Sequence, residues 1–180
     1  RYSVFQTVSI FTTTGYGTAD YELWGGMAQV LLVICMVIGG SAGSTSGGVK
    51  CMRLIVLIKH VHRELMRLVH PRAVMPVKLG GKIVSDDVLN GIIGFFLLYL
   101  ALAVISIVLL AALGLDMLTS IGAVIACISN IGLGLAQVGP TDNFGHLPDL
   151  AKWVLSFCML LGRLEIYTVI ILFFKEFWKS

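Results

Sequence analysis

The sequence predicts an all-α integral membrane protein built from helix–pore loop–helix repeats, with a glycine-rich break in one inner helix. Three observations predict this class. Hydrophobic residues make up 57% of the chain and charged residues 13%, about half the charged share of soluble domains. One uncharged run is long enough to cross a bilayer. A short apolar segment followed by a glycine turn occurs twice.

The distribution of basic residues predicts the topology. Eight of the thirteen Lys and Arg residues lie in the stretch 50–82, and positively charged loops are retained on the cytoplasmic side. The C-terminal tail from Lys175 is also basic, so both segments are expected in the cytoplasm. Two crossings must then separate them. The runs from Val88 to Leu113, about 39 Å long as a helix, and from Leu150 to Phe174 supply these crossings.

A short apolar segment lies between the two crossings. Ser120 to Ser129, with Asp116 or Thr119 as the start signal, has the pattern of a helix that is too short to span. It leads into a glycine-rich stretch, so we expect a re-entrant helix. Non-helical backbone at membrane depth is tolerated only inside protein or beside a water-filled cavity.

The front of the chain repeats this arrangement. The string TTGYG at 13–17 corresponds to NIGLG at 130–134, and ICMVIGG at 34–40 corresponds to FCMLLGR at 157–163. Two matches in the same order, around the same elements, indicate an internal repeat of half-helix, turn and span.

Carbonyl groups in the two glycine turns have no helical partners, and lipid supplies none. Gly15 and Gly17 can adopt left-handed angles that turn successive carbonyls toward one axis. Such a ring replaces the water around a monovalent cation in the similar Thr-Val-Gly-Tyr-Gly loop of potassium channels. The second turn keeps the glycines without the Thr and Tyr, which predicts weaker discrimination. A filter needs about four such loops, so a further part of the protein or a second chain completes it.

The segment from Gly39 to Lys50 breaks the first inner helix. Trp24 to Ile38 is too short to cross the bilayer, and the glycines and hydroxyl residues that follow do not sustain a regular helix. Arg163 takes the place of Gly40 in the second repeat, where the span is expected to continue. A charge at that depth must face a cavity or polar partners. Arg163 beside the glycine loop forms either a gate below the filter or a structural cap on loop carbonyls.

Catalytic and nucleotide-binding motifs are not supported. Lys50 follows Val49 rather than a glycine, unlike a phosphate-binding loop, and Thr45 occupies the nucleophile position of the only elbow-like string. We therefore expect no enzyme.

The stretch 50–70 has the pattern of an amphipathic helix. It fits a helix lying at the membrane interface and a lever to a cytosolic regulator equally well.

Four strings, TTTGYGT, GGSAGSTSGGVK, SNIGLGLAQVGP and GRLEIYTV, together resemble the Trk/Ktr/HKT superfamily of potassium transporters, most closely its TrkH branch. The resemblance covers essentially the whole chain. It implies the third and fourth of four helix–pore loop–helix repeats around one pore, beginning inside the third pore helix. Residues 1–70 would form the third repeat with its cytoplasmic extension, 71–87 a cytoplasmic linker, and 88–180 the fourth repeat.

The resemblance also implies site residues and partners. Filter glycines would be Gly15 and Gly132, with K⁺ held by Thr14, Gly15, Tyr16, Ile131, Gly132 and Leu133. The gate would comprise Gly39, Gly40, Ser41, Gly43, Ser44, Gly47, Gly48 and Arg163. The expected setting is the bacterial inner membrane, in a homodimer that binds a TrkA-type cytosolic nucleotide-sensing subunit and no nucleic acid. The missing N-terminal half would supply the other two repeats.

These inferences leave three alternative functions. The first is gated potassium uptake, as a symporter or a channel. The second is a sodium-coupled Ktr-type transporter, which the sequence does not distinguish from the first. The third is the potassium-binding membrane subunit of an ATP-driven pump, whose ATPase would be a separate chain.

Overall fold

The computed structural model describes residues 1–71, 75–164, 166–173 and 175–178. Its α-helices are α1 (Tyr2–Phe11), α2 (Gly26–Ile38), α3 (Cys51–Val69), α4 (Asp86–Ala112), α5 (Met117–Ile128), α6 (Asp149–Arg163) and α7 (Ile166–Ile170). Two short strands, β1 (Lys78–Leu79) and β2 (Lys82–Ile83), pair in an antiparallel hairpin. Single 3₁₀ turns occupy Tyr21–Leu23, Ala136–Val138, Phe144–His146, Ile171–Phe173 and Lys175–Trp178.

Helix α4 has the length and composition of a membrane span. It runs for 27 residues from Asp86 to Ala112 and is, within the described residues, the one helix long and apolar enough to cross a bilayer. Two carboxylates, Asp86 and Asp87, lie in its first turn, where they interact favourably with the helix dipole. Large apolar side chains such as Leu97, Val104 and Val108 are exposed along its length, as expected for a helix that contacts lipid.

Helices α1 and α5 are the two short helices that the repeat predicts. They contain 10 and 12 residues, too few to cross the hydrocarbon core. The side chain of Asp116 caps α5 by accepting a hydrogen bond from the amide of Thr119 at 3.1 Å. Of the two start signals in the sequence, Asp116 is therefore the N-cap residue.

The main hydrophobic core forms where α4, α5 and α6 pack together. Most of α5 is buried, from Thr119 through Ile128, because other elements surround this helix rather than solvent. A second cluster joins Ile10 of α1 and Met36 of α2 to Ile131 and Leu135, which follow α5. The two halves of the chain therefore share a core at the level of the glycine turns.

The hairpin in the predicted linker 71–87 was not expected from the sequence. Gly80 and Gly81 have φ angles of +55° and +82°, the left-handed pair that a two-residue hairpin turn requires. The Gly-Gly dipeptide was the signal that pointed to this turn. Residues 72–74 of the linker lie outside the described residues.

The stretch from Leu150 to Phe174, expected as the second crossing, is not one unbroken helix, and residue 165 lies outside the described residues. Helix α6 ends at Arg163, and α7 begins at Ile166. The last turn of α6 packs closely on the end of α5: a Cβ at Gly162 would lie 2.0 Å from the carbonyl oxygen of Ile128. Hydropathy does not report such contacts. The inner helices of the two repeats, α2 and α6, end at nearly corresponding positions, Ile38 and Arg163.

Candidate functional site

The two glycine turns have the same backbone conformation. Thr13 and Asn130 each have a φ of +55°, although neither is a glycine. Two residues further on, Gly15 and Gly132 have φ angles of +74° and +89°. These are left-handed angles that favour glycine. Each pair is separated by the 117 positions that separate the two strings, so the sequence repeat is also a structural repeat.

Each turn is anchored in the same way to the last turn of its own short helix. The amide of Thr14 donates to the carbonyl of Ser9 at 2.9 Å, and the amide of Ile131 donates to the carbonyl of Ala126 at 2.9 Å. Ser9 and Ala126 are corresponding residues. The chain therefore leaves α1 and α5 along equivalent paths.

Three successive backbone carbonyls in each of the two turns accept no hydrogen bond from any described residue. Helical and strand partners are not available to them because both turns lie outside regular structure. Within the described part of the chain, no amide or side chain donates to these oxygens, which belong to Thr13, Thr14, Gly15, Asn130, Ile131 and Gly132. Most of these residues are exposed or half-buried, so their carbonyl oxygens are available to bind water or a cation.

The two turns contact each other directly. A Cβ built on Gly15 would lie 1.9 Å from the carbonyl oxygen of Ile131. The corresponding position on Gly132 has no described atom within 4 Å. The two turns share one backbone conformation, but of these two glycines, among the described residues, only Gly15 contacts another turn at its Cβ position.

Tyr16 and Leu133 differ from the residues before them. The Tyr16 side chain is 70% exposed, and its carbonyl accepts a hydrogen bond from the Ser9 hydroxyl at 2.8 Å. A carbonyl oxygen has two lone pairs, so one remains. Leu133 is half-buried and packs on the second hydrophobic cluster.

A tyrosine joins the first repeat to the second turn. The Tyr21 side chain is fully buried, and its hydroxyl donates to the carbonyl of Gly134. The amide of Gly134 in turn donates to the carbonyl of Val138 at 2.8 Å. Sequence reasoning missed this bridge because the two residues are 113 positions apart and no short motif contains both.

The segment Gly39 to Lys50 is a loop, as the sequence predicts, and its ends are held together. The amide of Val49 donates to the carbonyl of Val37 at 3.1 Å, and the amide of Cys51 donates to the carbonyl of Gly40 at 3.0 Å. Left-handed φ angles occur at Gly39, Gly43 and Gly48. The chain thus leaves α2, turns through the loop and returns to begin α3.

Serine side chains organise the interior of the loop. The Ser46 hydroxyl accepts from the amide of Gly40 at 3.0 Å and lies 2.8 Å from the Ser44 hydroxyl. The Ser44 hydroxyl also donates to the carbonyl of Ser41 at 2.6 Å. These bonds satisfy backbone groups that a helix would otherwise pair.

Gly47 places this loop against the ends of both short helices. Its amide donates to the Thr13 hydroxyl at 3.2 Å, and a Cβ on Gly47 would lie 2.1 Å from the carbonyl oxygen of Ser129. Only glycine fits here. The loop therefore lies directly behind the C-terminal ends of α1 and α5.

Arg163 also contacts the glycine loop. Its guanidinium donates to the carbonyl of Thr45. A cavity of about 210 Å³ lies beside this contact, lined by loop hydroxyls and basic side chains, among them Ser44, Ser46, Lys50 and Arg163. The structure thus brings Arg163 and the loop together, as both sequence interpretations of the arginine require.

A wider acidic cavity lies at the other end of α5. It has a volume of about 520 Å³ and is lined by Glu22, Asp116, Asp142, Gln137 and His146, with Ala136. Because Asp116 begins α5 and Ser129 follows its last residue, this vestibule and the glycine loop lie at opposite ends of the helix. Burial raises the pKa of Glu22, and the charges of Asp20 and Asp142 add to this effect.

Comparisons with known proteins cover the whole chain. The family model TrkH, described as "Cation transport protein", matches residues 1–180. The Trk system potassium uptake protein TrkH of Halomonas elongata is 43% identical over 180 residues, which are 100% of this chain and 37% of the relative. The Trk system potassium uptake protein TrkG of Escherichia coli is 44% identical over 179 residues, 99% of this chain and 36% of the relative.

A solved structure matches the fold. The crystal structure of the potassium transporter TrkH from Vibrio parahaemolyticus superimposes with a TM-score of 0.89 and 45% sequence identity, over 97% of this chain and 37% of that one. The chain therefore spans little more than a third of the length of the relatives it matches.

Proposed function

The chain belongs to the TrkH family of cation transport proteins, and from this premise we propose that it supplies two pore-loop repeats of a gated potassium uptake pore in the bacterial inner membrane. Its relatives are named as potassium uptake proteins and are transporters, not enzymes. Potassium is the transported ion in this proposal rather than a resident cofactor.

The single observation that carries the proposal is the pair of matched turns with unpartnered carbonyls. In each turn, three successive carbonyl oxygens accept no hydrogen bond from a described residue. Gly15 of the first turn contacts Ile131 of the second. Rings of carbonyl oxygens replace the hydration shell of K⁺ in selectivity filters. We assign the filter to Thr14, Gly15, Tyr16, Ile131, Gly132 and Leu133, centred on the two glycines. All but one of these carbonyls accept no hydrogen bond from a described residue. The exception, Tyr16, keeps one lone pair beside its bond to Ser9.

Two turns form only part of such a ring. In this proposal residues 1–70 and 88–180 are the third and fourth repeats, joined by a cytoplasmic linker at 71–87, and an N-terminal half contributes the other two. The unoccupied side of Gly132 supports this assignment, since that is where a further turn would make the contact that Gly15 makes with Ile131.

The glycine loop and Arg163 form the gate in this proposal. The loop lies behind both turns through Gly47 and is held by the Arg163 side chain through Thr45. A fixed positive charge beside a cation path raises the energy of a passing ion. The gate comprises Gly39, Gly40, Ser41, Gly43, Ser44, Gly47, Gly48 and Arg163.

The proposed orientation places the acidic vestibule outside and the basic stretch 50–82 and the C-terminus in the cytoplasm. Carboxylates at a pore mouth raise the local concentration of cations. We further propose that the full-length protein forms a homodimer and binds a TrkA-type cytosolic regulatory subunit.

Uptake into liposomes that contain the full-length protein tests the function. We expect K⁺ to enter faster than Na⁺ without ATP, at a rate that increases with an inside-negative membrane potential. Equal rates for the two cations would contradict the filter. Uptake that requires an added ATPase chain would instead favour a pump subunit, and K⁺ uptake that requires Na⁺ would favour a Ktr-type mechanism.

A further inference from the structure

Ser9 anchors three successive peptide groups of the first turn. Its carbonyl accepts from the amides of Thr14 at 2.9 Å and Gly15 at 3.4 Å. Its hydroxyl accepts from the amide of Tyr16 at 2.8 Å and donates to the carbonyl of Tyr16, also at 2.8 Å. The Ser9 side chain is buried, so these bonds are made from inside the protein. One side chain therefore bonds both backbone groups of Tyr16.

Gln6 lies one helical turn before Ser9 and anchors the chain further out. Its Oε1 accepts from the amide of Thr18 at 3.2 Å, and the residue is fully buried. Because that amide is a donor, the oxygen of Gln6 must face it, which fixes the orientation of the side-chain amide. The Nε2 atom has no hydrogen-bond partner in the described part of the chain.

These anchors determine the direction of the carbonyls. A trans peptide is planar, and its C=O and N–H point to opposite sides. The amide of Tyr16 shares its plane with the carbonyl of Gly15. When Ser9 holds that amide behind the turn, the Gly15 oxygen must point away from α1. The amide held by Gln6 orients the carbonyl of Gly17 in the same way.

The second turn lacks this side-chain support. The residues that correspond to Gln6 and Ser9 are Ala123 and Ala126, both fully buried. The Ala126 carbonyl still accepts from the amides of Ile131 and Gly132. However, the amide of Leu133, which shares its plane with the carbonyl of Gly132, donates to no described residue.

We propose that Ser9 and Gln6 are positioning residues that determine cation selectivity by fixing the carbonyl of Gly15 from behind, without touching the ion themselves. This inference rests on the proposed filter function. It assigns the greater share of selectivity to the first turn, because the corresponding carbonyl at Gly132 has no such anchor.

The test measures the ratio of K⁺ to Na⁺ uptake per transporter in liposomes that contain the full-length protein. Ser9→Ala is expected to lower the ratio at least about fivefold, the fold-change for the loss of one net hydrogen bond of about 1 kcal/mol. Gln6→Met, similar in length but without the acceptor, is expected to lower it less. Ser156→Ala is the matched control, because that hydroxyl bonds only the carbonyl of Lys152 in its own helix.

A merely structural role would lower the amount of folded transporter and leave the ratio unchanged. Wild-type ratios in both Ser9→Ala and Gln6→Met would therefore overturn the inference. If Ser9→Ala does not fold, Ser9→Cys, which keeps a weaker donor of similar size, is expected to give a reduced ratio, and a wild-type ratio in that variant would equally overturn it. A wild-type protein without K⁺ preference would instead contradict the proposed filter itself.

Discussion

The α-carbon of Gly15 lies against the carbonyl oxygen of Ile131, so closely that a Cβ at residue 15 would lie 1.9 Å from that oxygen. The two residues are in different repeats of the chain. Their contact brings two sets of unpartnered carbonyls to one place. It also makes the geometry of one turn depend on that of the other.

This contact predicts a large effect of Gly15→Ala. The new methyl group would collide with backbone that cannot rotate away, and the φ of +74° costs a residue other than glycine about 1 kcal/mol or more. We expect the K⁺ to Na⁺ uptake ratio to fall at least about tenfold, which corresponds to about 1.4 kcal/mol. Gly25→Ala is the control, because no described atom lies within 4 Å of its Cβ position. Retained selectivity in Gly15→Ala would count against the filter assignment.

Removal of the Arg163 side chain tests the gate. Arg163→Ala deletes the bond to Thr45 and the positive charge beside the loop, so we expect cation flux to rise about fivefold for a barrier lowered by about 1 kcal/mol. Arg163→Lys keeps the charge and should change the flux less. If a folded Arg163→Ala protein carries no flux, the arginine instead has the structural role of capping the loop.

The buried bridge from Tyr21 to Gly134 predicts a stability effect. Tyr21→Phe removes one hydroxyl and leaves the Gly134 carbonyl without that donor, at a cost of about 1–3 kcal/mol. We expect a lower midpoint in thermal unfolding of the detergent-solubilised full-length protein. Tyr2→Phe removes a hydroxyl from an exposed tyrosine and provides the comparison. Identical midpoints for the two variants would show that the bridge contributes nothing.

Glu22 predicts a dependence on external pH. Burial raises its pKa above the ordinary value, so the vestibule carboxylate becomes neutral at a higher pH than an exposed glutamate would. As the pH falls through this raised pKa, the attraction for cations weakens, and K⁺ uptake at low K⁺ concentration should fall. Glu22→Gln should remove this phase of the pH profile. An unchanged profile in Glu22→Gln would exclude the residue as its source.

The same shift has a consequence for folding. Between the ordinary and the raised pKa, folded Glu22 keeps a proton that the unfolded chain has released. The contribution of this residue to the free energy of unfolding is therefore full at low pH and decreases as the pH rises through that window.

Ala126→Ser tests whether a hydroxyl at residue 126 can anchor the second turn as the Ser9 hydroxyl anchors the first. The hydroxyl would take the position that corresponds to the Ser9 hydroxyl, and the amide of Leu133 corresponds to the Tyr16 amide that Ser9 holds. If the substituted protein folds, we expect a higher K⁺ to Na⁺ uptake ratio than in the wild type. A lower or equal ratio would indicate that the carbonyl of Gly132 needs no such support.

Local pattern predicted most of the elements. Hydropathy located α4, and the repeat of TTGYG in NIGLG located two turns that share φ angles and anchoring bonds. The glycine-rich break was predicted because five glycines and four hydroxyl residues between Gly39 and Lys50 do not form a regular helix in a membrane. Each of these properties is visible in a single continuous stretch of the sequence.

Contacts between distant residues were not predictable in this way. Gly162 in the last turn of α6 lies against the carbonyl of Ile128, and no hydropathy pattern reports a backbone contact across 34 positions. The bridge from Tyr21 to Gly134 is similarly long-range. In the sequence, Ser9 and Gln6 are ordinary polar residues of a short helix. Their bonds to the amides of Tyr16 and Thr18 are seen only in the folded turn.

The central claim is that the carbonyls around Gly15 and Gly132 bind the transported cation. Anomalous difference density from crystals of the full-length protein soaked in Tl⁺, a K⁺ substitute, tests it most directly. We predict a Tl⁺ peak in contact with the carbonyl oxygens of Gly15 and Gly132. Tl⁺ bound only in the acidic vestibule, with those oxygens bonded to protein donors instead, would contradict the account.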